Sequence, residues 1–176
     1  MDGTMTDLEE KASRFAIKSH EGQFRKDGVT PYVSHPMRVR SRASFHPMFT
    51  PEMGAAAFLH DVVEDCGVTV EQLRDQFGDK VAELVDWMTN RSKQTGLPRE
   101  KRKKIDRDRL AKAPQDAKIL KLFDRVDNLS DAAAFQGSFR KLYANESLEL
   151  VKILRDADSK LADELEELAK GLLKWA

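Results

Sequence analysis

An imidazole and three carboxylates are packed into six positions of an otherwise apolar run, as His60, Asp61, Glu64 and Asp65 of Phe58-Leu59-His60-Asp61-Val62-Val63-Glu64-Asp65. On a helix, at about 100° per residue, His60 and Glu64 fall almost on one line and Asp61 and Asp65 on the next. Ala56, Leu59 and Val63 form a separate apolar arc. Carboxylates on adjacent lines repel one another, which costs a helix roughly a few tenths of a kcal/mol even in water. Beside a buried face the cost rises unless a cation sits among them. The plainer alternative is a helix end at which Glu64 and Asp65 point to water.

Two more residues extend the constellation. His35, in Ser34-His35-Pro36, is placed at the mouth of a helix, and Asp124 lies on a later helix in a similarly apolar setting. Together with His60 and Asp61 they offer two imidazoles and two carboxylates, a ligand set suited to Mn²⁺, Fe²⁺, Co²⁺ or Zn²⁺. Structural zinc prefers closed, cysteine-rich sites, so mixed nitrogen and oxygen ligation with room for water points to catalysis. The ion would supply a hydroxide source near neutral pH. Glu64 or Asp65, one turn from the ligands, could orient that water or move its proton.

The elements that must position these groups read as helices nearly throughout, about eight of them, with no convincing strand. A capping box, Thr6-x-x-Glu9, opens a first helix that runs to about Gly22. Residues 24–33 carry turn chemistry at Asp27-Gly28 and read as an ordered loop. Ser34 as cap and Pro36 in the first turn open a second helix to about Phe45. Its Arg38, Arg40 and Arg42 read as a partly solvated face. Thr50-Pro51 opens the central helix, which runs to Asp65 and turns through Cys66-Gly67. Thr69-x-x-Gln72 caps the next helix, and Val81, Leu84, Val85 and Met88 form the apolar face of a fifth. Residues 89–98 are loop-like. The basic stretch 99–110 reads on its own as a solvated helix face. From Pro114 to Asp131 a core stripe of Ile119, Leu122, Val126 and Leu129 runs beside a polar stripe of Asp124, Asp127, Asn128 and Asp131. A small-residue connection, 132–138, leads to a helix with Phe139, Leu142, Tyr143, Leu150, Val151 and Leu154. A last amphipathic helix, about 159–175, carries Leu161, Leu165, Leu168, Leu172 and Trp175. Its leucines are core or an oligomer seam, which leaves a homodimer open.

Composition narrows the function. A chain of 176 residues fits one domain with one active site. Its 30 basic and 30 acidic residues cancel, so bulk charge argues for neither nucleic-acid nor membrane-surface binding. The single cysteine, Cys66, excludes an intramolecular disulfide and suits a reducing compartment. With no signal peptide or long apolar span, a cytoplasmic location is expected.

Three blocks carry a resemblance. Residues 25–36 (Arg25-Lys26-Asp27-Gly28 through Tyr32-Val33-Ser34-His35-Pro36), 57–65 (Ala57-Phe58-Leu59-His60-Asp61 through Glu64-Asp65) and 121–129 (Lys121-Leu122-Phe123-Asp124-Arg125-Val126-Asp127-Asn128-Leu129) resemble, in that order, the hydrolase domain of RelA/SpoT-type alarmone enzymes. That domain belongs to the HD metal-dependent phosphohydrolases, and the likeness extends over roughly residues 7–155. It implies an all-α HD-domain helical bundle occupying residues 1–176 as a single hydrolase domain. The implied activity is removal of pyrophosphate from the 3′ position of (p)ppGpp. The implied cofactor is Mn²⁺ on His35, His60, Asp61 and Asp124, with Glu64 and Asp65 serving the attacking water. Arg25 and Lys26 match a pair at the guanine end, where an arginine can stack on a base. Asn128 and Tyr143 match nucleoside- and substrate-contacting residues. Arg99 and Arg102 match a helix that faces phosphates, which guanidinium groups bind bidentately. The chain ends before a synthetase domain, so synthesis is not expected.

The chain departs from the family at Phe123, usually small, at Asp127, usually aromatic or histidine, and at Ser130, usually arginine. An added carboxylate and a lost arginine bear on guanosine specificity more than on hydrolysis. An HD phosphohydrolase acting on a nucleoside monophosphate or on the 2′-phosphate of NADPH is one alternative. A non-catalytic nucleotide- or nucleic-acid-binding module resting on residues 99–109 is another. His20 reads as a structural histidine, and Cys66 as a buried small residue.

Overall fold

The computed structural model describes residues 4–132, 135 and 137–174, the side chain of Gln94 excepted. Trp175 and part of the 132–138 connection lie outside them. The chain divides into two compact units, Met1–Asn90 and Arg91–Ala176. Among the described residues every regular element is helical, apart from an isolated antiparallel bridge between Phe24 and Pro31.

The first unit holds α1 (Asp7–Ser19), α2 (Ser34–Ala43), α3 (Pro51–Leu59), the single turn α4 (Val62–Asp65), α5 (Val70–Phe77) and α6 (Asp79–Met88). Its centre is α3. Thr50 caps α3 by accepting the Met53 N–H, Pro51 stands at the first position, and every residue from Met53 to Leu59 is buried. A helix apolar on all sides must be surrounded, and α1, α2 and α6 pack on it. Small residues at 54–57 permit close approach. Gly54 is the extreme case, because a Cβ there would lie 2.1 Å from Glu9 Oε1 and 2.9 Å from Phe49 Cζ.

That space is taken by a buried ion pair. Glu9 Oε2 closes the capping box of α1 by accepting from Thr6 N at 2.9 Å and Thr6 Oγ1 at 3.0 Å. Its Oε1 accepts from Arg40 Nε and Nη2, each at 2.8 Å. Arg40 is therefore not part of a solvated face on α2: it is buried and spans to α1. Removing one partner would strand the other charge at a cost of about 3–5 kcal/mol.

Two helix boundaries also differ from expectation. Ser34 does not cap α2; the helix starts at Ser34 behind Val33 with no side-chain cap, and Ser34 Oγ accepts instead from Arg38 at 3.3 Å. The central helix is not continuous to Asp65 but breaks at His60-Asp61. The reason is local: His60 Nδ1 meets the Ala57 carbonyl at 2.8 Å, so the side chain occupies an acceptor that the next turn of backbone would use.

The second unit holds a 3₁₀ turn at Arg91–Gln94, within the stretch expected as loop, then α7 (Arg99–Leu110), α8 (Gln115–Ser130), α9 (Gly137–Leu154) and α10 (Ser159–Lys174). Here α8 is central and packs against α9 and α10, with Ile119, Leu120, Leu122 and Val126 fully buried. α10 contributes Ala162, Leu165 and Ala169 to that core. α7 buries only Leu110 and is tied down by polar contacts, chiefly Ser92 Oγ to Asp106 Oδ2 at 2.6 Å.

Candidate functional site

In the first unit three ligand atoms converge. His35 Nε2 lies 3.2 Å from His60 Nε2, and Asp61 Oδ2 lies 3.0 Å from His60 Nε2 and 3.7 Å from His35 Nε2. All three fall within 4.8 Å of one another, the spacing of groups that could share one metal ion. Both imidazoles are buried, while the Asp61 side chain is 18% exposed, so the cluster opens to solvent on its carboxylate side. His60 and Asp61, adjacent at the break between α3 and α4, supply two of the three converging ligand atoms. The Ala57 carbonyl accepts a hydrogen bond from the Nδ1–H of His60, which leaves Nε2 as the lone-pair nitrogen aimed into the cluster. Two imidazole nitrogens and a carboxylate oxygen are the donor chemistry of a borderline divalent cation, so the residues present fit one.

Around the cluster lies the ordered loop 24–33. Asp27 organises it by accepting from Val29 N and Thr30 N, each at 2.9 Å, and from Thr30 Oγ1 at 2.6 Å. These bonds, the Thr30 hydroxyl first, hold the Asp27 carboxyl down at about 2. Gly28, at φ 75°, makes the turn. Arg25 and Lys26 are carried on this loop, and the Arg25 guanidinium lies 5.5 Å from the centre of the Tyr32 ring. Lys26 is exposed.

Glu64 is braced. Its Oε1 accepts from Asn90 N at 2.6 Å and Asn90 Nδ2 at 2.8 Å, just past the end of α6. Asp65 is exposed, and its carbonyl accepts from Gln23 Nε2 at 3.4 Å. His20 is a satisfied structural histidine, with Nδ1 2.8 Å from Gln23 Oε1 and its ring against Tyr32. Cys66 is only half-buried, 3.3 Å from His20 Nδ1, and burial pushes its thiol up from its ordinary value. Two residues of this neighbourhood escaped the sequence reading. Tyr32 donates to Asp61 Oδ2 at 2.7 Å, and its only signal was its place three residues before His35. Asn90 carried no signal, because its contact with Glu64 spans 26 residues.

The remaining expected site residues belong to the second unit. Asp124 is buried; its Oδ2 pairs with Lys121 Nζ at 2.8 Å and its Oδ1 accepts from Asn128 Nδ2 at 2.6 Å. Arg99 forms a two-pronged pair with Glu146, at 2.7 Å and 2.9 Å, which raises its pKa further. Arg125 lies 3.8 Å from the same carboxylate and stacks its guanidinium 3.9 Å from the Tyr143 ring centre. Burial in this setting pushes the Tyr143 hydroxyl up. Arg102 turns to the Leu97 carbonyl at 3.0 Å. Its neighbour Lys103, which the sequence did not single out, is pushed down to about 8 by burial and by Arg125, Lys121 and Arg99. Of the departures, Phe123 and Asp127 are buried in α8, and the Ser130 hydroxyl turns back to the Val126 carbonyl at 3.0 Å.

An all-helical chain with a His-His-Asp cluster at a helix break defines a class. Residues 12–157 match the HD domain family, and the chain belongs to it. Over 165 residues it is 32% identical to the guanosine-3′,5′-bis(diphosphate) 3′-pyrophosphohydrolase MESH1 of Xenopus tropicalis, covering 90% of this chain and 90% of that protein. It is 35% identical over 160 residues to the guanosine-3′,5′-bis(diphosphate) 3′-pyrophosphohydrolase of Haemophilus influenzae, where it spans only 23% of the longer protein. Among solved structures, a metazoan ortholog of SpoT that hydrolyses ppGpp and plays a role in starvation responses superposes with a TM-score of 0.85 at 29% identity, over 96% of this chain and 97% of that one.

Proposed function

We propose that this chain is a metal-dependent hydrolase that removes the 3′ pyrophosphate of (p)ppGpp and leaves GDP or GTP. The observation that carries the reading is the convergence of His35 Nε2, His60 Nε2 and Asp61 Oδ2 in a chain that matches the HD family over residues 12–157. The relatives named for this activity include one that the chain spans over 90% of its length, and the family match runs through both units, which supports one HD-type domain. His35, His60 and Asp61 hold the cation, Mn²⁺ by the family resemblance. Asp124 is assigned to the same ligand set by the likeness of residues 121–129 alone. When bound, the ion supplies Lewis acidity and a water that ionises near neutral pH.

The chain's own residues do the rest. The Ala57 carbonyl keeps His60 in its ligating tautomer. Glu64, held by Asn90, accepts the proton of the attacking water, and Asp65 assists from the exposed side. Water attacks the phosphorus attached to the 3′ oxygen, that P–O bond breaks, and the proton ends on the 3′ hydroxyl. Arg25 and Lys26 bind the base end, while Arg99, Arg102, Asn128 and Tyr143 contact phosphates and nucleoside. No helix among the described residues is long and apolar enough to cross a membrane. With balanced charge and one cysteine, we assign a cytoplasmic enzyme of small nucleotides with no nucleic-acid partner.

Incubation with ppGpp and Mn²⁺ should release GDP and pyrophosphate in equal amounts, and chelation should stop it. No turnover with metal present, or faster cleavage of a nucleoside monophosphate or of NADPH in a substrate panel, would overturn the assignment.

A further inference from the structure

We propose that Tyr32 is a positioning residue of the metal site, its hydroxyl orienting the Asp61 carboxylate so that Oδ2 meets both histidine nitrogens. The inference rests on the metal-site reading above. Asp61 needs such a device. It sits at the break between α3 and α4, its side chain is partly exposed, and as the N-cap residue of α4 it makes no capping bond. Tyr32 Oη donates at 2.7 Å to Oδ2, the same oxygen that lies 3.0 Å from His60 Nε2 and 3.7 Å from His35 Nε2. A carboxylate oxygen has two lone pairs, so one can take the phenol proton while the other is left for a cation.

The phenol is itself held. Its ring lies 4.7 Å from the His20 ring at a 30° tilt, meets His35 edge-on at 6.1 Å, and carries the Arg25 guanidinium at 5.5 Å. His20 is in turn bonded to Gln23, and Tyr32 N donates to the Gln23 carbonyl at 2.9 Å. Through these contacts the backbone of the 24–33 loop sets the hydroxyl, and the hydroxyl sets Asp61. A hydrogen-bonding partner of this kind orients a ligand before the metal arrives, and losing one typically costs about 10- to 100-fold in metal affinity.

The test is the Mn²⁺ dissociation constant of the full chain, measured by calorimetry without substrate, for the unaltered protein, Tyr32→Phe and Arg25→Ala. Tyr32→Phe keeps every ring contact and removes only the donor. It should weaken Mn²⁺ binding by about 10-fold or more, leave the thermal unfolding of the metal-free protein unchanged, and lower turnover in a way that excess Mn²⁺ restores. Arg25→Ala removes a ring neighbour but no donor, so its Mn²⁺ affinity should match the unaltered protein while its KM rises. An Mn²⁺ affinity for Tyr32→Phe within twofold of the unaltered protein would overturn the proposal. So would an equal loss in Arg25→Ala, or no Mn²⁺ binding by the unaltered protein. If ppGpp is not cleaved but the affinity difference is found, the substrate assignment fails and the role of Tyr32 stands.

Discussion

The two units each gather charged or ligating groups, and they do so in opposite senses. In the first, two imidazole nitrogens and a carboxylate oxygen turn inward on one another within 4.8 Å. In the second, Arg99, Lys103, Lys121 and Arg125 are drawn together around Glu146 and Asp124, and burial first, then the neighbouring cations, lowers the Lys103 pKa to about 8. Crowding of like groups beside a core is unfavourable, and nothing in helix packing requires it. The first cluster has the donor set that a divalent cation would take, and the second has the excess positive charge that an anion would offset. A polyphosphate hydrolysed with the help of a divalent ion presents both demands, which is why each cluster on its own is informative about the proposed reaction.

The largest effects are expected where the first cluster is broken. Asp61→Ala removes the carboxylate oxygen nearest His60 and should lower turnover on the order of 10³-fold or more, with metal absent from the variant by elemental analysis. Metal retained at full occupancy would mean that Asp61 is not a ligand. Next comes Glu64→Gln. Its carboxamide oxygen can still accept from Asn90, so the fold and metal content should survive while kcat falls by about 10²- to 10⁴-fold, the range for loss of a general base. An unchanged kcat would transfer that role to Asp65.

How much of this could be read from the residues alone follows from the range of each interaction. The helices with regular apolar spacing and local caps, such as α5 behind the Thr69–Gln72 box and α6 with Val81, Leu84, Val85 and Met88, were legible because their signals lie within one or two turns. The histidine and aspartate residues of the first cluster were legible because their types are unusual in apolar surroundings. What could not be read depended on partners far along the chain. Arg40 looked like a solvated arginine until Glu9, 31 residues earlier, and the cavity left by Gly54 were placed beside it. The helix break at His60 was hidden because the periodicity continues through it, while a side chain rather than a proline or glycine ends the run. Lys103 and Arg102 are neighbours on one basic helix, and only the packing of α7 within its unit separates the half-buried, crowded one from the one bonded to its own loop.

The second cluster can be sharpened as well as broken. Glu146→Gln removes the carboxylate that Arg99 and Arg125 share. Stability should fall by about 2 kcal/mol, less than for a fully buried pair because Arg99 is partly exposed. The uncompensated cations should then hold an anionic substrate more tightly, so KM should fall while kcat changes little. A raised KM would show instead that Glu146 positions Arg99 for the substrate.

The smallest effect belongs to Lys103, and it has a definite direction in pH. Its pKa is lowered from the ordinary 10.5 to about 8. Between those values the unfolded chain holds more protons than the folded one, so the group's contribution makes stability rise with pH through that window. Below about pH 8 the ammonium is charged in both states, and the penalty of burying it beside other cations is complete. Lys103→Met should therefore stabilise the protein at pH 7, by about 1 kcal/mol once solvent screening is allowed for, and the advantage should fade by pH 10. Substrate binding acts the other way, because a phosphate beside the ammonium favours the charged form. KM should rise above pH 8 as Lys103 loses its proton, and Lys103→Met should remove that rise while raising KM at pH 7 by about 5-fold, the equivalent of roughly 1 kcal/mol. Denaturant unfolding at pH 7 and pH 10, with KM at the same two values, tests both halves. A variant that is more stable and binds no worse would show that the cations of the second unit crowd together without serving an anion.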